Sequence, residues 1–227
     1  MSKAKYILAT FLLLCFITAC RQITDKKFIS EGIIKYDITY PDATEDDVLV
    51  GLMPKTMIFK FKDDKIAFEF DGGMGLFKAK FISDFEKQSV LHMVKILNKK
   101  YAVTYKSTEI NSLNEMPGIN IKHTGERKNI AGYDCQKSSI SFKDDEFSSF
   151  DIYFTEDLNI KTPNWSTPYK EINGVLMEYQ MKRYNVVMHF TAVSVESAEI
   201  DDHDFQKPED YKIVSQDEMD ELFLNLN

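Results

Sequence analysis

Cysteine, proline, glycine and tryptophan are scarce in this chain of 227 residues, which has three cysteines, six prolines, nine glycines and one tryptophan. So few cysteines exclude a disulfide scaffold, and stability must come from a core. So few prolines and glycines exclude low-complexity linkers and leave no composition break at which to divide the chain. Positive charge is in deficit, with 28 Lys and Arg against 36 Asp and Glu and a net charge of −8. An acidic chain gains nothing from phosphate neutralisation and counterion release, which removes nucleic acid from the expected partners. Nucleophile elbows, phosphate loops and zinc-ligand spacings are missing, and His92, His123, His189 and His203 are too scattered to aim two rings at one ion. Gly72-Gly73-Met74-Gly75 has neither the lysine nor the helix of a phosphate cradle and reads as a turn. The expectation is a non-enzymatic protein with no cofactor and no metal.

Long apolar runs are missing too, apart from one near the start. Lys3 and Lys5 precede the mostly apolar stretch Tyr6 to Ile17, and the small pair Thr18-Ala19 leads to Cys20. That is a secretory signal layout. The run falls short of the ~20 residues that cross a bilayer core as a helix. Ile17-Thr18-Ala19-Cys20 resembles the lipobox of bacterial lipoproteins, an aliphatic residue and two small ones before the cysteine that receives lipid. The resemblance implies a signal peptide over 1–19, acyl chains such as palmitate on Cys20, a tether over 20–27 and a single β-rich domain over 28–227. It also implies a location in the cell envelope, lipid-anchored, at the outer membrane facing the periplasm. Two or more chains anchor stably where one myristoyl group binds only marginally. With Cys15 in the signal and Cys20 acylated, Cys135 is the sole thiol, and Lys137 is the nearby cation in sequence. A buried, inert thiol is expected there.

What is abundant is aromatic and alternating. Phe and Tyr number 17 and 11, and aromatics make up 13% of the chain, which favours strands. Met57, Phe59 and Phe61 alternate with polar neighbours, Asp63-Asp64 intervenes, and Ile66, Phe68 and Phe70 alternate again. A two-residue turn at Asp63-Asp64 pairs Phe61 with Ile66, Phe59 with Phe68 and Met57 with Phe70, so all six share one face. Lys60, Lys62, Lys65 and Glu69 fall on the other. Similar runs occupy 34–40, 77–81, 101–105, 119–122, 138–142, 150–154, 175–181 and 186–197, and Ser89 to Leu97 is read as a strand. Two helices are expected. Thr44 and Asp47 cap the first, which carries Val48, Leu49 and Leu52 and ends at Pro54; Ser215 to Glu218 is a capping box before the stripe Met219, Leu222, Phe223 and Leu226.

Two loops carry candidate chemistry. Asp201-Asp202-His203-Asp204 offers oxygens that a cation such as calcium accepts, although a solvated turn explains the run equally well and is preferred. Trp165, in the proline-bounded loop Pro163 to Pro168, is a candidate contact for a protein partner or a plug for the end of the sheet.

The segment Ile130-Ala131-Gly132-Tyr133-Asp134-Cys135-Gln136-Lys137, then Tyr153-Phe154-Thr155 and Phe205-Gln206-Lys207-Pro208, resembles uncharacterised envelope lipoproteins with an "IAGYxCxK" hairpin, a "YFT" strand and an "FxxP" exit. Those proteins are similar in plan to the lipoprotein carriers LolA and LolB. The resemblance implies an α+β, mostly β fold: a curved antiparallel sheet forming a half-open barrel, with one short helix in the N-terminal half and one C-terminal helix. It also implies an apolar cavity, whose expected lining is Met57, Phe59, Phe61, Ile66, Phe68 and Phe70, and a lipid or acyl-chain ligand. The alternative is an interaction lipoprotein with a filled core that docks an envelope protein.

Overall fold

The computed structural model describes residues 29–43, 51, 53–110, 116, 118–143, 148–183 and 186–224. The signal segment, Cys20, most of the first expected helix and Leu226 lie outside the described residues. Twelve strands follow in chain order: β1 (Glu31–Thr39), β2 (Thr56–Lys62), β3 (Lys65–Gly72), β4 (Phe77–Asp84), β5 (Ser89–Ile96), β6 (Lys99–Lys106), β7 (Ile119–Ile130), β8 (Tyr133–Phe142), β9 (Phe150–Thr155), β10 (Val175–Arg183), β11 (Val186–Ser197) and β12 (Lys212–Ile213). The one α-helix among the described residues is α1 (Gln216–Leu224). Among the described residues a mostly β chain forms one curved, open sheet with a single C-terminal helix, and the first expected helix falls mostly outside them. The sheet order is β12-β6-β5-β4-β3-β2-β1-β11-β10-β9-β8-β7, antiparallel except where β12 runs parallel to β6.

The β2–β3 hairpin shows how local chemistry sets register. Asp63 sits at φ 53°, the left-handed conformation that a two-residue hairpin turn demands. The resulting pairs are Phe61 with Ile66, Phe59 with Phe68 and Met57 with Phe70. The β7–β8 hairpin turns through Ala131 and Gly132, both at positive φ, and pairs Ile130 with Tyr133. At the C-terminus the capping box forms in both directions. Ser215 N–H donates to Glu218 Oε2 at 2.8 Å, and Glu218 N–H donates to Ser215 Oγ at 3.1 Å.

Ring contacts across the sheet measure its curvature. Three strand spacings of about 4.8 Å separate β3 from β11, roughly 14 Å if the sheet were flat. Phe70 and Phe190 nevertheless face each other with ring centroids 6.3 Å apart. The concave side therefore closes on itself and buries the aromatic rows. The convex side is charged. There Glu69 accepts from Lys80 at 2.7 Å and Lys60 at 3.2 Å, and Lys60 also reaches Asp204 at 2.8 Å. Beside that network Ala67, Ile82, Met93 and Ala102 are buried beneath Phe205 and Tyr211 of the segment that leads to β12.

Candidate functional site

The concave side holds a cavity of about 450 Å³, within the ~300–1,000 Å³ range of ligand pockets. Its wall is built by alternation: β2 contributes Met57 and Phe59, β3 contributes Phe68 and Phe70, β4 contributes Phe77, Ala79 and Phe81, and β10 and β11 close the far side with Tyr179, Met188 and Phe190. Four of the six expected lining residues thus face the void. Phe61 and Ile66 do not; they are 0% and 2% exposed and pack into the continuous core nearer the Asp63-Asp64 turn.

Two further elements border the cavity. The connection from β9 to β10 supplies Pro163, Asn164, Ser166 and Thr167 to its lining. Asn164 is 5% exposed and donates through Nδ2 to the carbonyls of Ile172 at 2.9 Å and Gly174 at 2.8 Å, which fixes the loop's shape. The Ser83 and Ser166 hydroxyls share a hydrogen bond of 3.0 Å, tying the loop to β4. Trp165 is half-buried, packs on the cluster under α1 and meets Phe85 edge-on at 6.0 Å. The second element is α1, whose Met219 is fully buried and whose Phe223 reaches the cavity.

One feature of the cavity had no sequence signal. His92, on β5, is 1% exposed and lines the cavity, and neither ring nitrogen has a hydrogen-bond partner. It stacks on Phe81 at 4.0 Å with 9° between planes, and Phe223 lies 5.9 Å away on a near-parallel plane. Burial, with the Arg183 guanidinium adding repulsion, pushes its pKa down to about 3, so the ring is neutral at ordinary pH. Arg183 closes β10 and lines the same cavity, with 14% of its side chain exposed and an ion pair to Asp220 of α1 at 3.8 Å. In the sheet order β5 and β10 are six spacings apart, roughly 29 Å if flat. Only curvature brings them together, so no spacing in the chain could announce the pair.

The other candidates resolve as partners of the protein itself. Asp201 caps a 3-10 turn by accepting from the His203 N–H at 2.9 Å, Asp202 pairs with Lys62 at 3.0 Å and Asp204 with Lys60. The carboxylates of the 201–204 run are thus engaged with cations and backbone of the convex face. Cys135 is fully buried, its thiol donates to the Tyr133 carbonyl at 3.4 Å, and burial raises its pKa to about 11. A thiol so poorly ionised is a weak nucleophile. Among the described residues no helix is long and apolar enough to cross a membrane.

A family described as a domain of unknown function (DUF4412) matches residues 32–165. No curated protein matches the chain. Among solved structures, a beta-barrel-like protein of the domain of unknown function DUF1849 from Brucella abortus is 11% identical with a TM-score of 0.37, covering 75% of this chain and 99% of its own. LprF from Mycobacterium bovis is 10% identical with a TM-score of 0.31, covering 78% of this chain and 89% of its own. Likenesses this distant carry no functional argument.

Proposed function

Since the chain belongs to the DUF4412 family of domains of unknown function, we propose that it is an envelope lipoprotein that holds an apolar ligand, a lipid or acyl chain, inside its curved sheet by burial and without catalysis. The observation that carries this reading is the aromatic void of about 450 Å³ on the concave face. A folded core ordinarily packs such side chains against each other at crystal-like density, because empty apolar volume forfeits dispersion contacts. An occupant restores those contacts. The cavity's hydroxyls favour holding over reacting, since Ser83 and Ser166 bond to each other rather than to a base.

Burial has a quantitative signature. Each methylene taken from water contributes about 0.8 kcal/mol, about a fourfold gain in affinity. Titration with neutral n-alkanols of increasing length should show that slope and then a plateau once the void is full. Affinity independent of chain length contradicts the reading. The half-open barrel of the LolA/LolB plan, with the C-terminal helix as its lid, is part of the same proposal.

The anchor rests on Ile17-Thr18-Ala19-Cys20. Acylation of Cys20 holds the acidic domain at the outer membrane, facing the periplasm, with the cavity within reach of bilayer lipid. Metabolic labelling with an alkyne-tagged palmitate should mark the natural protein and not Cys20→Ser; equal labelling of both removes the anchor.

A further inference from the structure

The aromatic walls explain a tail, but one end of the cavity is not apolar. Most polar groups in the lining are satisfied by the protein: Tyr36 donates to the Leu176 carbonyl at 2.8 Å, Asn164 bonds two carbonyls, and Ser83 bonds Ser166. His92 is an exception. Its ring is 1% exposed, lines the void and has no partner at either nitrogen, an arrangement that costs desolvation free energy unless something bonds it. Beside it stands a cation, Arg183, also in the lining and largely removed from water. The neighbouring anion, Asp220, lies at 3.8 Å on α1 and is itself about half exposed, with 52% of its side chain accessible. A neutral imidazole offers one N–H donor and a guanidinium offers five donors in a planar fork. This end therefore presents donors and positive charge to the void, and the rest presents hydrocarbon.

Resting on the proposed apolar-ligand function, we propose that the occupant is a single-chain lipid with an anionic head, whose carboxylate or phosphate oxygens seat on the Arg183 guanidinium beside His92 under α1, with the tail running along the Phe68, Phe70 and Phe190 wall. A guanidinium binds such oxygens two at a time, which fixes orientation as well as charge. Asp220 occupies the same cation in the free protein, so the ligand head and the helix carboxylate compete for it.

Displacement of a neutral fluorescent reporter, N-phenyl-1-naphthylamine, from the purified, delipidated full chain tests this. Hexadecanoic acid should displace it at a concentration about tenfold or more below hexadecan-1-ol, the range of a charge-assisted hydrogen bond. In Arg183→Gln the two ligands should become equivalent while the reporter still binds. Asp220→Asn, a change at a half-exposed site, should tighten the acid several-fold and leave the alcohol unmoved. Hexadecanoyl lysophosphatidic acid separates the two head chemistries: stronger Arg183-dependent displacement by it than by the fatty acid assigns a phosphate head, and the reverse a carboxylate. Equal displacement by acid and alcohol in the natural protein, or an acid preference that survives Arg183→Gln, overturns the assignment of the head and leaves the apolar cavity standing. Failure of the reporter and of every chain to bind removes the cavity function itself, and this inference with it.

Discussion

Replacing Ala79 by tryptophan should weaken uptake of apolar ligand about a hundredfold while leaving the protein folded. Ala79 is 7% exposed on β4, opposite Phe70 on β3 and Val94 on β5, and it is the small residue in a wall row of Phe77, Ala79 and Phe81. Its side chain lines the void. An indole there takes the volume that three or four methylenes of a ligand would fill, and at about 0.8 kcal/mol each that displacement weakens binding about a hundredfold. Overpacking a filled core costs about 1–3 kcal/mol, and the void keeps this substitution at the low end of that range. Met188→Trp makes the same change from β11, on the opposite wall. Reporter titration and thermal melting of both variants supply the check. Undiminished binding in both, with melting unchanged, means that ligand sits elsewhere.

The second large effect is on acid stability, and its sign follows from His92. In the unfolded chain a histidine takes a proton near pH 6.5. In the folded protein His92 resists protonation until about pH 3, because burial disfavours the imidazolium and Arg183 repels it. Between those values the unfolded state binds the extra proton, so stability is intact above pH 6.5 and falls as pH drops towards 3. The loss is roughly 2 kcal/mol by pH 5, at 1.36 kcal/mol per unit, in a window where most carboxylates are still ionised. His203 works in the opposite direction, its pKa raised by its bond to Asp201, so the comparison must be made between two proteins that both keep it. His92→Phe keeps a flat ring between Phe81 and Phe223 and removes the titration. Urea denaturation from pH 7.5 to 5 should show the natural protein losing about that amount more than His92→Phe. Parallel stability profiles would mean that water or another group relieves the buried ring.

What could be read in the chain beforehand divides by sequence distance. The β2–β3 register was legible to the residue, because a period of two and a two-residue turn are both local, and one slip would turn six apolar side chains to solvent. The strand at Ser89–Ile96 and the Ser215–Glu218 capping box were legible for the same reason. The cavity's extent was not. Which aromatic residues border a void and which fill the core depends on where the sheet bends, so Phe61 and Ile66 share a face with Phe59 and Phe68 yet end in packed interior. The polar end was hidden more deeply still. His92 and Arg183 lie on strands six places apart in the sheet; in the sequence His92 looked like an isolated polar residue at a strand position, and Arg183 fell just past the expected strand 175–181. Trp165 shows the limit from the other side: its loop was visible as proline-bounded and polar, but its packing under α1 and its neighbours' place in the cavity lining are tertiary facts.

The claim on which the rest depends is that the concave void is occupied by lipid in the native envelope. Organic extraction of the protein purified without added lipid, followed by mass spectrometry of the extract, measures that directly, since an acyl group covalently bound to Cys20, as proposed, would stay with the polypeptide. The expected result is a non-covalent lipid at close to one molecule per chain, lost in Ala79→Trp. Protein that is repeatedly free of lipid, with a single envelope protein captured stoichiometrically by crosslinking, contradicts it and favours a docking module instead.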